Sequence, residues 1–199
     1  MTNPGKLYVF EGPDGAGKST LAEWLSSHLR ESGIRCILLS FPGKEKGTLG
    51  KHVYELHHDL ARFAIDTVAP ASLQLLHVAA HIDAIENRIK PLLSDGTTVV
   101  LDRFWWSTFV YGLIGGASRS VLDRMVAIER AVWDPVQPDQ LFLVTRSEPL
   151  RPEAPEFWPR WREEYLRLSD AEQSNHPIVV VPNEALSEAQ RAIRESLNL

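Results

Sequence analysis

Gly12-Pro13-Asp14-Gly15-Ala16-Gly17-Lys18-Ser19, followed by Thr20, is the stretch from which the fold can be read. It fits G-x-x-x-x-G-K-[ST], and its flanks fit as well. Before it, Leu7–Glu11 (LYVFE) is a short apolar run of the kind that makes a buried strand. After it, Lys18–Arg30 has helical spacing, with Leu21, Leu25 and His28 or Leu29 on one side and Gly33 as a natural stop. Glycines let the main chain wrap closely around phosphate oxygens, and successive N–H groups at a helix N-terminus supply partial positive charge. Gly12 through Thr20 therefore form a candidate site for a nucleoside triphosphate. Lys18 is placed for the β- and γ-phosphates, and the Ser19 hydroxyl for Mg²⁺. The motif alone does not separate a kinase from a switch or a motor.

Outward from the loop, strands and helices alternate. Arg35–Phe41, Thr97–Leu101, Pro138–Thr145 and Ile178–Val181 read as strands. Gly50–Ile65, Ala71–Leu93, Trp105–Gly112, Ser118–Trp133, Glu156–Ser169 and Ser187–Leu197 read as helices. In the second of these helices, Leu75, Val78, Ile82, Ile85, Ile89 and Leu92 make one apolar stripe, and Pro91 bends its end. The alternation predicts a three-layer α/β sandwich around a central parallel sheet, with the phosphate loop of a P-loop nucleoside triphosphate hydrolase or kinase fold.

The third strand ends Val100-Leu101-Asp102-Arg103. A carboxylate there is placed to approach the Mg²⁺ shell, or is simply where the strand meets solvent. Arg103, a cation at the carboxyl end of the sheet, suits a second phosphate.

The chain has 199 residues, 44% apolar and 24% charged, which suits one domain over residues 1–199. No apolar run approaches the roughly 18–20 residues of a membrane span, and no secretory signal is read at the N-terminus. The single cysteine, Cys36, cannot make an internal disulfide, so the expected compartment is the cytoplasm. A net charge of −5 argues against nucleic acid as partner but allows a local basic pocket for a small phosphorylated ligand. Residues 148–159 are too rich in proline for a continuous helix, and 146–160 reads as a lid.

With these residues in place, the chain resembles the thymidylate kinase family of nucleoside monophosphate kinases. Phe10 through Thr20 carry the resemblance, with Phe41-Pro42, Asp102-Arg103-Phe104, Ser107 and Tyr111. It runs in order from about residue 7 to 145 and more weakly beyond. It implies transfer of a phosphoryl group from ATP, with Mg²⁺, to a nucleoside monophosphate, dTMP or a related pyrimidine nucleotide. Under it Asp14 contacts the acceptor sugar, Phe41 stacks on the base, Lys44 and Arg103 take the acceptor phosphate, and Tyr111 lies under sugar and base. Asp102 joins Ser19 at the metal. The family's dimers imply a homodimer, whose interface the Leu75–Leu92 stripe could serve if it does not face the sheet.

Two departures stand out. The family's base-reading arginine in the long helix aligns with Ala80, so His81 or Asp83 is left to read the base, and the glutamine often found after the Tyr111 position is Gly112. The loop arginine of some members is Gly15, so the lid must supply a cation; Arg151 is the choice, with Arg146 and Arg160 flanking it. These departures keep open a kinase acting on a nucleoside or modified-base hydroxyl, and a nucleotide-binding module without catalysis. His77 and His81, four apart, suit packing or acceptor contact better than zinc, since Val78 stands where H-E-x-x-H needs its glutamate. Trp158 and Trp161 read as helix packing rather than an acceptor pocket.

Overall fold

The computed structural model describes residues 4–151 and 156–199. Five strands, β1 (Leu7–Glu11), β2 (Cys36–Ser40), β3 (Thr98–Asp102), β4 (Gln140–Thr145) and β5 (Ile178–Pro182), form one sheet in the order β2-β3-β1-β4-β5. Every pairing is parallel, and the register sets Phe10 against Asp102 and Glu11 against Leu143. β1 and β3 are buried along their whole length, as expected of strands covered on both faces.

Alternation along the strands divides the core in two. Tyr8, Phe10, Val100, Phe142 and Val144 pack with Leu21, Leu25 and Leu29 of α1 (Lys18–Glu31) and with Ile193 of α8 (Leu186–Leu197). Leu7, Val9, Val99, Leu101 and Leu141 pack on the other side. There they meet α3 (Pro70–Ala84), α5 (Trp105–Ile114), α6 (Arg119–Trp133) and α7 (Trp158–Glu172). Because the strands are parallel, the carboxyl ends of β1, β2 and β3 open on one edge. The phosphate loop, Phe41–Lys44 and Arg103 meet there.

Three expectations change. The helix predicted over 50–65 stops early: α2 spans Leu49–His58, and a 3₁₀ turn follows at Ala61–Phe63. Asp59 ends the helix, and its carboxylate accepts the Arg62 N–H at 3.1 Å to open the next turn. The helix predicted over 71–93 is continuous but not uniform, passing from α3 through a π-turn at Ile85–Ile89 into α4 (Lys90–Ser94). The wide turn lies just before Pro91, which has no N–H to give the preceding turn. The apolar stripe also splits. Val78, Ile85 and Ile89 face the core, whereas Leu75 is 49% exposed and Leu76 37%.

Candidate active site

The loop between β1 and α1 is tied down through its carbonyls. Trp158 Nε1–H donates to the Asp14 carbonyl at 2.8 Å, the Leu150 N–H to Gly15 at 2.9 Å, and Asn183 Nδ2 to Ala16 at 2.8 Å. Gly17 has φ +91°, and a Cβ there would lie 2.3 Å from Asn183 Nδ2. Glycine is thus required both by conformation and by close approach. Lys18 is buried at the head of α1, its Nζ 2.9 Å from the Pro13 carbonyl and 3.4 Å from Asp14 Oδ1. Burial, and then the nearby Arg103, push its pKa down, against the carboxylates of Asp14, Asp102 and Glu11.

Across the sheet, the Ser19 hydroxyl donates to Asp102 Oδ2 at 2.6 Å. Asp102 Oδ1 is buried with no hydrogen-bond partner among the described residues. A hydroxyl beside a half-satisfied carboxylate is a hard-oxygen donor set, and it fits Mg²⁺ sharing its shell with phosphate oxygens. A closed protein cage is not formed: among the described residues no group of three or more His, Cys, Asp or Glu is placed to hold a metal ion.

Arg103 follows Asp102 with φ +78°, a region side chains rarely adopt and one that persists only where the surroundings enforce it. Glu11 supplies that enforcement. Its carboxylate, fully buried at the end of β1, accepts the Phe104 N–H at 2.7 Å, the Ser107 N–H at 2.9 Å and the Ser107 hydroxyl at 2.8 Å. It therefore caps the start of α5 from a neighbouring strand. Ser107 Oγ in turn accepts from Arg103 NH1 at 3.3 Å and lies 2.9 Å from the Tyr165 hydroxyl. Burial raises the Glu11 pKa, opposed by Arg103 and Lys18. Arg103 NH2 pairs with Asp14 Oδ1. Burial alone would raise the Asp14 pKa, but Arg103 and then Lys18 hold it well below the usual carboxylate range. The Asp14 N–H donates to the Tyr111 hydroxyl at 2.8 Å, and Arg103 lies over the Tyr111 ring at 5.6 Å.

A cavity of about 500 Å³ runs from Lys18 and Ser19 past Arg103 to α3. Phe41, Lys44, Gln74, His81, Tyr111 and Arg151 line it, so the residues expected at the acceptor come together. Their surroundings differ from the expectation in places. Phe41 is buried and stacks on the His81 imidazole, centroids 4.0 Å apart, so the stacking partner present is His81 and not an open space for a base. Ala80 is buried and outside the lining; His81 is the residue the helix presents there. Lys44 is exposed, 4.7 Å over the Tyr54 ring. Gly112 leaves room for Gln74: a Cβ on Gly112 would come 2.9 Å from Gln74 Cγ and 2.6 Å from Leu122 Cδ2. A side-chain amide thus reaches this wall from α3 instead of α5.

His77 and His81 do not pair. His77 Nε2 lies 3.0 Å from His57 Nδ1, while His81 turns to Glu129. In the segment expected to form a lid, Arg151 is exposed at the cavity wall, whereas Arg146 is spent on the Asn183 and Glu148 carbonyls. Arg160 is exposed on α7 and outside the cavity lining. Residues 152–155 of the expected lid lie outside the described residues.

Four contributors were not assigned roles from the sequence: Glu11, Trp158, Asn183 and Glu129. Glu11 carried a signal, a charged residue closing an otherwise apolar strand. The others reach the site from over 100 residues away, or from the far side of a helix pair, and no local pattern marks them.

Residues 10–193 match the family model for thymidylate kinase. The chain belongs to the thymidylate kinase family. A thymidylate kinase of Ralstonia pickettii is 32% identical over 213 residues, covering 97% of this chain and 98% of its own. That of Dinoroseobacter shibae is 36% identical over 148 residues, 72% of this chain and 66% of its own, so the match spans about two thirds of that relative. The crystal structure of thymidylate kinase from Ehrlichia chaffeensis superposes with a TM-score of 0.77 at 26% identity, covering 98% of this chain and all of that one. Membership in the thymidylate kinase family makes this protein a nucleotide kinase with ATP as phosphate donor.

Proposed function

We propose that this chain phosphorylates dTMP to dTDP with ATP and Mg²⁺. One observation carries the reading: a single cavity joins the phosphate loop to Arg103, so two anions can be held against one another. The donor tail rests on the Gly12–Thr20 main chain and Lys18. Ser19 and Asp102 would hold Mg²⁺, which supplies charge neutralisation between the phosphates. Arg103, turned inward by Glu11 and Ser107, grips the acceptor phosphate, with Lys44 near it. Asp14 orients Arg103 and faces the sugar, and Tyr111 braces Asp14. Arg151 adds positive charge over the transferring group from the lid. An acceptor phosphate already carries negative oxygens, so no strong base is needed; positioning and charge do the work.

The test is ATP consumption by the purified chain across nucleosides and nucleoside monophosphates. Turnover with dTMP is expected. Turnover restricted to unphosphorylated acceptors, or ATP binding without turnover, would contradict the reading.

The same reading places the protein in the cytoplasm as a homodimer. Among the described residues no helix is long and apolar enough to cross a membrane. Leu75 and Leu76 of α3, with Val121 and Ile128 of α6, are exposed on helices that pack together, and they suit a two-fold interface. Sedimentation at micromolar concentration should give twice the chain mass; a monomer at all concentrations would exclude it.

A further inference from the structure

A second cavity, of about 160 Å³, lies where the start of α5 meets the end of α6 and the turn after α7. Phe104, Trp105, Trp133 and His176 are buried and form its floor. Arg130, Gln137 and Asn175 are exposed and form its rim. It shares no lining residue with the cavity of the active site. Trp105 and Trp133 are each 2% exposed, and neither indole Nε1 has a hydrogen-bond partner among the described residues. Both ring nitrogens of His176 lack one as well. Folded interiors leave few polar atoms unpaired, so several gathered in the wall of one cavity point to a molecule that fills it.

The lining says what kind of molecule. An indole N–H only donates, so its partner must be an acceptor. Arg130 is the one charged residue in the lining. Its NH1 pairs with Glu172 Oε1 at 3.1 Å, and its guanidinium lies 5.3 Å from the Trp105 ring centroid. Asn175 Nδ2 donates to Glu172 Oε2 at 2.9 Å. Glu172 thus uses both oxygens to hold the rim and stays outside the lining, while Arg130 keeps further N–H groups to give. Burial lowers the His176 pKa against the pull of Glu172, and Arg130 lowers it further. The floor is aromatic: the Phe104 ring lies 5.0 Å from Trp133 and meets His176 edge-on at 5.9 Å. The space equals the liquid share of about five waters, but each water needs polar partners that aromatic faces do not offer. It holds one small ring and is too small for a nucleotide, whose own cavity is about 500 Å³. Arg130 follows Ile128 by two positions and so lies on the opposite side of α6 from the face given to the two-fold interface.

We propose that this second cavity binds a single-ring aromatic or heteroaromatic carboxylate. The ring packs among Phe104, Trp105 and Trp133, and the carboxylate oxygens accept from the indole N–H groups and from Arg130. A neutral ring would leave the guanidinium without its partner, and a carboxylate without a ring would leave the aromatic floor uncovered. The inference stands on residues outside the active site and does not depend on which acceptor is phosphorylated.

Calorimetric titration of the full chain with benzoate and nicotinate tests it, with nicotinamide, acetate and inorganic phosphate as comparisons. One of the two aromatic acids at least should bind at a single site with a Kd below about 1 mM. Nicotinamide, acetate and phosphate should each bind about 10-fold more weakly or not at all. Arg130→Gln removes the cation and Gln137→Glu sets a negative charge at the rim; each should weaken the aromatic acid about 5–10-fold. Both side chains are exposed, so both variants should melt close to the parent. Trp133→Phe, which keeps a ring and loses an indole N–H, should weaken it similarly. Binding should persist with ATP and dTMP at saturation. No saturable binding of either acid, equal binding of phosphate, unchanged affinity in Arg130→Gln and Gln137→Glu, or loss of binding when ATP and dTMP are added would each overturn the inference.

Discussion

Arg103 holds an unfavourable backbone angle so that its guanidinium can face Asp14 and the cavity, and Glu11 is what keeps it there. Arg103→Ala should lower kcat by about 10²–10³-fold, since a preorganised cation at a transferring phosphoryl group is worth that order. Steady-state kinetics would check it, and near-normal turnover would refute the assignment. Glu11→Gln turns one end of an acceptor-only group into a donor aimed at N–H groups. It should destabilise the fold by about 1–3 kcal/mol and reduce turnover, measurable by denaturant titration alongside kinetics. Glu11 could be seen in the sequence as an oddity, but its task could not, because Phe104 and Ser107, the residues it caps, lie more than 90 residues away.

The α2–α3 pair carries a pH response. His77 is held neutral with a pKa of about 3 against an ordinary 6.5, by burial first and then by His81, His57 and Arg103. The unfolded chain takes up this proton near 6.5 and the folded chain only near 3. Its contribution to stability is therefore complete above about 6.5 and is lost as pH falls toward 3. Asp14, depressed below 3.8, adds its own loss only at the acid end. Thermal melts from pH 7.5 to 4.5 should show Tm falling with pH, and His77→Phe should flatten the slope; an unaltered slope would contradict the role given to His77. At the cavity wall, Arg151→Ala should reduce kcat about 10–100-fold with little change in stability, since the side chain is exposed. The α1 boundaries were readable from spacing and Gly33. The π-turn before Pro91 was not, because the apolar period alone does not distinguish a wide turn from a regular one.

For the whole molecule, strand–helix alternation was enough to give three layers and a parallel sheet. The loop motif was enough to mark the turn between β1 and α1 that sits at the strand ends. Strand order and the two-sided core then bring together residues that the sequence shows only apart. Lys18, Asp102, Arg103 and Tyr111 could be named in advance because each sits in or beside a recognisable motif. The His81–Glu129 pair could not, since it forms only when α3 packs on α6. The decisive measurement is the fate of ATP labelled at the γ-phosphate, incubated with dTMP and the purified chain. The expected result is label on the β-phosphate of dTDP, abolished by Lys18→Ala and strongly reduced by Arg103→Ala. Label released only as inorganic phosphate, or transferred equally well without Arg103, would contradict a cavity built to bring two phosphates together.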